Sequence, residues 1–446
     1  MKRNFRILVI LSVASLFHGT ISTAQEPAPY RLTLRDAIQK ALQANLNVLV
    51  ANTRVEEAEG TRTRRLSAAL LPRVRVQSYA NFQNRNLNAF GITFPGVPEV
   101  IGPFSNYDFR LYADQNIVDL QSYRGLKASE RALDAGKMDY QDARDLIVRA
   151  VASLYLNTQS AAARVDAAQS RVTDSDVLYK LAKDKHGAGT ATGVDVLRSQ
   201  VQLANDKQAL LIAQNQYKQS LLVLARNLGM RPSSPLELAE PLRYQPLTQP
   251  QAESLVPSAL LARPDYLSLA SQRQELIEQQ RASRARYYPK LSINGNYGGL
   301  GRSIGGVQGT GIIQGQIDFT VFDRDRSGEL QELASRVKRI DDQIADMSRG
   351  IEEEIHEALL NLESADEQVA VAKEGQDLAQ RELELAQDRF QSGTTNNVEV
   401  VTAQDELARA QQNYILAVSS HADAKFALAR AVGDTEKNIG QYLENP

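Results

Sequence analysis

Between residues 330 and 390 the apolar positions recur at alternating steps of three and four: Leu330, Leu333, Val337, Ile340, Ile344, Met347 and Ile351. After one extra step of four they resume as Ile355, Ala358, Leu362, Ala365, Val369, Ala372, Gln376, Ala379, Leu383, Ala386 and Phe390. That spacing predicts a coiled-coil seam with a single stutter, which locally relaxes the left-handed supercoil. The same seam stands 204 positions earlier as Leu133, Gly136, Tyr140, Ala143, Ile147, Val151 and Leu154. Long helices are therefore predicted over about 120–185 and 324–390, with further helices over 193–229 and 397–432.

Ahead of each long helix the period changes to two. In RVRVQSYANF, Val74, Val76, Ser78, Ala80 and Phe82 alternate with Arg73, Arg75, Gln77, Tyr79 and Asn81. In YDFRLYADQ, Tyr107, Phe109, Leu111 and Ala113 alternate with Asp108, Arg110, Tyr112 and Asp114. LSINGNY and IQGQIDFTVF repeat the pattern, the latter with Ile313, Gly315, Ile317, Phe319 and Val321 on the apolar side. Four strands in two hairpins, about 73–117 and 290–322, are predicted, of about the 9 to 11 residues that cross a membrane as β-structure. Just over half of the Phe and Tyr residues fall in 72–123 and 287–322, as aromatic girdles require.

Proline draws the boundaries because helix interiors expel it. None occurs from 104 to 231 or from 290 to 445, whereas seven lie between Pro232 and Pro264. Pro72 and Pro289 precede the two hairpins in ALLPRV and RYYPKL. The expected organisation is one repeat over 25–231, a linker over 232–251, a second repeat over 252–434 and a tail over 435–446.

Lys2, Arg3 and Arg6, the apolar run Ile7–Phe17 and the small residues before Gln25 predict a secretory signal peptide over 1–24. The run is too short to cross about 30 Å of hydrocarbon, and no later segment reaches the required length. The 446-residue chain has no cysteine, hence no disulfide and no lipid-bearing cysteine. A net charge of -2 points to no nucleic-acid partner.

Each long helix spans roughly 100 Å, the helices after the glycine turns about 55 Å, and those before Pro72 and Pro289 about 35 to 45 Å. A short pair stacked end to end matches one long helix, which predicts a tube of continuous and broken helices. Four strands leave two open edges, which lipid does not tolerate, so several chains must pool their strands.

These residues resemble a known family. LTLRDAIQKALQANLNV followed by LLPRV, the duplicated hairpin and long helix, and FQSGTTNNVEVVTAQDELARAQ ending in ALARAVG are similar to TolC-like outer membrane efflux proteins over roughly 30–434. The resemblance implies a mainly α chain with a membrane β-barrel: a homotrimer whose twelve strands form one barrel in outer membrane lipid, continued by a periplasmic α-helical coiled-coil barrel. It also implies docking of a periplasmic adaptor and of an inner-membrane efflux pump or ABC exporter, and a passive exit duct for drugs, ions or secreted polypeptides. The hairpin tips around Gly187, Gly189, Thr190, Gly393 and Thr394 would contact the adaptor. Asp195, Phe390 and Glu399 fall at the family's periplasmic constriction. Phe390 stands where the best-known members carry a gating tyrosine, and Thr395 and Thr402 replace an arginine and a second acid. The expected closure is packing around Phe390 with a weak acidic ring.

Other readings of these residues bear on the same positions. HGAGTATGVDVL lacks the strand before and the lysine after that a phosphate loop requires. Thr192-x-x-Asp195 and Asn396-x-x-Glu399 both fit capping boxes, so each acid has a structural role open to it beside a pore-facing one. His186, His356 and His421 lack metal-ligand spacing, and no nucleophile is paired with a base, so no metal, cofactor or catalytic residues are expected. Arg75, Arg110, Asp108, Asp114 and Asp318 on the polar strand faces mix both signs and indicate no charge preference. The rival classes are an exported coiled-coil spacer or adhesin without a pore, and an exported hydrolase.

Overall fold

A computed structural model describes residues 30–247, 252–433 and 435–437. The region expected to be a signal peptide lies outside them. Thr33 caps helix α1 (Leu34–Ala44), and Asn45 ends α1 and caps α2 (Leu46–Leu70). Strands β2 (Arg73–Asn86) and β3 (Val100–Val118) lead into α3 (Leu120–Gly187) and α4 (Gly193–Asn227). The series then recurs as α5 (Ala252–Ala262), α6 (Pro264–Ala285), β5 (Lys290–Gly301), β6 (Gln308–Asp318), α7 (Asp325–Gln391) and α8 (Asn397–Val432). Between the two series, β4 (Leu236–Leu238) pairs in parallel with β1 (Tyr30–Leu32). Pro264 opens α6 at its first turn, where its missing N–H costs nothing, whereas Pro257 sits inside α5.

The four long strands form one antiparallel sheet in the order β2-β3-β5-β6. Its register sets Val74 opposite Ala113, Val76 opposite Leu111 and Ser78 opposite Phe109. Leu111 in turn faces Tyr297, and Ile317 faces Leu291. One face is therefore apolar from edge to edge. The strands differ from expectation in length: β3 runs for 19 residues with register irregularities, whereas β6 ends at Asp318, so Phe319 and Val321 lie beyond it.

In the helical part, every α7 position of the 3-4 seam from Leu333 to Phe390 is buried or half-buried, including both sides of the stutter at Ile351 and Ile355. The short helices abut end to end. Asn45 Nδ2 donates to the Asn227 carbonyl at 3.3 Å, joining the start of α2 to the end of α4. Arg263 Nη1 donates to the Ala431 carbonyl at 3.4 Å, joining α6 to α8 in the same way. At each joint the chain leaves the helix through a left-handed glycine, Gly229 (φ +69°) and Gly433 (φ +81°). With α3 and α7 at 68 and 67 residues, each continuous helix is about 100 Å long.

Around the joints lies an apolar core in which Leu32, Leu34, Ile38, Val148, Val151, Leu224, Leu228 and Phe426 pack about Tyr155. The fully buried Tyr155 donates its hydroxyl to the Leu32 carbonyl at 3.0 Å. Glu436 pairs with Arg144 of α3 close by. Nearby Asp145 is 3% exposed. Burial raises its carboxyl to about 6, against an opposing pull from Arg430. This folded value exceeds the ordinary 3.8, so the fold binds the proton more tightly than the unfolded chain does. Stability contributed here therefore falls as pH rises from about 4 to about 6 and stays low above that. Asp145→Asn is expected to stabilise the protein by about 1–3 kcal/mol at neutral pH, the gain fading below about pH 4 in denaturant titrations.

Candidate functional site

Two regions stand out by the groups they expose, the sheet and the hairpin tips. On the apolar face of the sheet Val74, Val76, Phe82, Phe109, Ile313 and Ile317 are exposed. Water does not stabilise such a face, and hydrocarbon does. On the opposite face Arg110 pairs with Asp108 and donates from Nη1 to Asn296 Oδ1 at 3.3 Å, and Arg75 meets Asp114 at 3.2 Å. These expected lumen charges are internally neutralised. Asp318 accepts from Gln316 Nε2 at 2.8 Å. The edges β2 and β6 have no partner strand among the described residues.

At the tips the two hairpins turn alike. Gly189 and Gly393 share φ +77° in open space. Thr190 donates both its N–H, at 2.8 Å, and its hydroxyl, at 3.1 Å, to the Lys185 carbonyl, and Thr394 does the same to Arg389 at 3.0 Å for each bond. Gly187 is the last residue of α3. All five tip residues are exposed.

Behind the turns the resemblance of the two hairpins ends. Asp195 and Thr192 form the complete capping box: the Asp195 N–H donates to Thr192 Oγ1 at 3.3 Å, and the Thr192 N–H donates to Asp195 Oδ2 at 3.0 Å. Asp195 is 8% exposed, with its carboxylate turned into its own helix start. The box expected at Asn396 and Glu399 does not form. Asn396 caps through Val398 N at 3.0 Å, while Glu399 is drawn away by Arg389 at 2.6 Å and by the Thr395 hydroxyl. Phe390 is 4% exposed and packs among Leu383, Ala386, Val400 and Ala403, with Lys185 Nζ 5.3 Å from its ring centre. Thr192→Ala is expected to destabilise by about 1 kcal/mol in denaturant titration, since it removes the acceptor for the Asp195 N–H.

A residue that spacing did not single out joins the two hairpins. Asn397, the first residue of α8, is fully buried. Its Nδ2 donates to the Asp195 carbonyl at 2.7 Å and to Ser199 Oγ at 3.0 Å, and its Oδ1 accepts from Arg198 Nη1 at 2.7 Å. Lys185 Nζ adds a bond to the Gln391 carbonyl at 3.0 Å. Further along, Arg171 of α3 bridges Asp206 of α4, at 2.7 Å, and Asp405 of α8, at 3.1 Å. The signal was present in the 204-residue comparison, where Asn397 replaces Gly193 and Thr402 replaces Arg198. Where two otherwise parallel hairpins differ in polar residues, a contact between them is the natural reason.

The outer membrane efflux protein family matches residues 37–230 and 255–434, which is most of the chain. The chain belongs to that family. This outer membrane efflux protein is 23% identical over 419 residues to the pyoverdine export outer membrane protein OpmQ of Pseudomonas aeruginosa, covering 90% of this chain and 85% of that one. Its fold is similar to the CmeC outer membrane channel of Campylobacter jejuni (TM-score 0.75, 18% identity, 92% and 89% of the two chains). It is likewise similar to the outer membrane protein VceC of Vibrio cholerae (TM-score 0.76, 17% identity, 90% and 96%). The efflux protein's apolar sheet face is accordingly the outer membrane segment, and its helices form the periplasmic extension.

Proposed function

We propose that three copies of this chain pool their four-stranded sheets into one twelve-stranded barrel and their helices into one tunnel. The assembly is a passive duct through which an inner-membrane pump, joined by a periplasmic adaptor, expels its substrate. The observation that carries this reading is the sheet itself: apolar across one face, charge-paired across the other, and open at both edges. In lipid such edges close only on further strands. Family members are channels, so the part read for this chain is conduction and not a chemical step.

The exposed tips around Gly187, Gly189, Thr190, Gly393 and Thr394 are the adaptor contact in this reading. For the mouth, the hydrogen bonds support a division of labour. Asp195 starts α4 and lends its carbonyl to the second hairpin, Phe390 fills the seam between α7 and α8, and Glu399 is held by Arg389. Closure then rests on Asn397 holding the two hairpins of one subunit together.

Planar-bilayer recording of protein purified from outer membranes tests the duct. Discrete conductance steps from an oligomer resistant to mild detergent are expected. A monomer recovered from the soluble periplasm, or bilayers that stay silent with folded oligomer present, would overturn the proposal.

A further inference from the structure

Away from both sheet and tips, a cavity of about 640 Å³ opens between the start of α1, the middle of α3, the segment after β4 and the second half of α8. Lys425 lines it and is 5% exposed. Its ammonium donates to the Gln245 carbonyl at 3.2 Å, and among the described residues no carboxylate pairs with it. Burial pulls its pKa below the ordinary lysine value. His421, 2% exposed, shares the wall. Its Nε2 lies 3.5 Å from Asp366, and its ring stands against Tyr244, whose hydroxyl bonds the same Asp366.

Arg243 stands at the cavity's exposed rim with Lys425 inside, and Glu240 is the acid of the lining. The N-terminal end of α1, 11 residues long, also meets it, adding the positive end of a helix dipole. Asp36 in that first turn is engaged with the Thr33 hydroxyl at 2.8 Å. A buried ammonium without a counter-charge is costly to keep ionised, and a polar cavity this large admits more than water.

We propose that the cavity is a binding site for a small oxyanion, a phosphate or a carboxylate, received by Lys425 and the start of α1 with Arg243 at the entrance. The anion supplies the counter-charge that Lys425 lacks and bridges the segment after β4 to α8. The ligand thereby fastens the segment linking the two halves of the chain to the tunnel wall.

The test uses the full-length oligomer in detergent, titrated at constant ionic strength with inorganic phosphate in one arm and citrate in another, with chloride as the control. A saturable rise in the thermal unfolding midpoint is expected in one or both oxyanion arms and not with chloride, and the arm that saturates first identifies the class. Lys425→Met should abolish the saturation. Arg243→Gln, at an exposed position that leaves the fold intact, should weaken apparent affinity about threefold or more. Arg302→Gln, remote in the sheet region, should match the parent. A rise that is absent, that does not saturate, or that is equal in the parent, Lys425→Met and Arg243→Gln would overturn the site. Should Lys425→Met fail to assemble, the Arg243→Gln comparison alone decides.

Discussion

Gly229→Ala and Gly433→Ala are each expected to remove about 3 kcal/mol of stability and to sharply reduce the recovery of assembled protein. Two costs coincide at each position. The left-handed backbone, φ +69° and +81°, penalises any side chain by about 1–2 kcal/mol. A Cβ at 229 would also stand 2.5 Å from the Ala44 Cβ, and one at 433 would stand 3.0 Å from the Arg263 backbone nitrogen. Both joints would have to part, and each joint makes two short helices act as one. Gly189→Ala provides the comparison: it has a similar φ of +77° but open space around it, so it should cost only the backbone share, about 1–2 kcal/mol. Urea titration of the oligomer, read alongside its yield, checks the ranking. Equal effects at 189 and 229 would show that the joints are not tightly packed.

Asn397→Leu is expected to lower stability by about 2–4 kcal/mol and to raise the resting conductance severalfold. Leucine fills a similar volume but leaves the Asp195 carbonyl, Ser199 Oγ and the Arg198 guanidinium without their shared partner in a buried place. Losing one partner of a buried set is costlier than losing the whole set, so the hairpins should separate and admit water. Asp195→Asn should behave differently. It retains a side-chain acceptor and the carbonyl that Asn397 uses, so it should cost under about 1 kcal/mol and leave the mouth closed. If single-channel recording finds Asp195→Asn open and Asn397→Leu closed, the acid and not the amide governs the mouth.

The difference between those two residues shows where sequence reasoning reached its limit. Asp195 was visible because a threonine three positions before it forms a local pattern, and local patterns survive folding. Asn396 and Glu399 have the same spacing, yet Arg389, across the turn from Glu399 in the adjoining helix, pulls the acid out of the box. A charged partner outweighs a weak local cap. Phe390 was legible as the last seam position of α7, and its burial follows from that seam. Which chain closes over it depends on Val400 and Ala403 of α8.

By itself the amino-acid sequence determined the periods: the α7 seam with its stutter, the alternating faces of the four strands and the glycine turns at matching offsets. Each follows from side chains repeating every two or every three and a half residues, a property of the local backbone. Only the tertiary structure decided that α4 ends on α2 and α8 on α6, that Asn397 spans the hairpins, and that Lys425 is buried in a cavity with no carboxylate paired to it among the described residues. Those contacts join positions some 170 to 200 residues apart. No local period specifies them, because they depend on where each helix ends in space, and one residue more or less at a joint would move every partner by about 1.5 Å along the axis and about 100° around it.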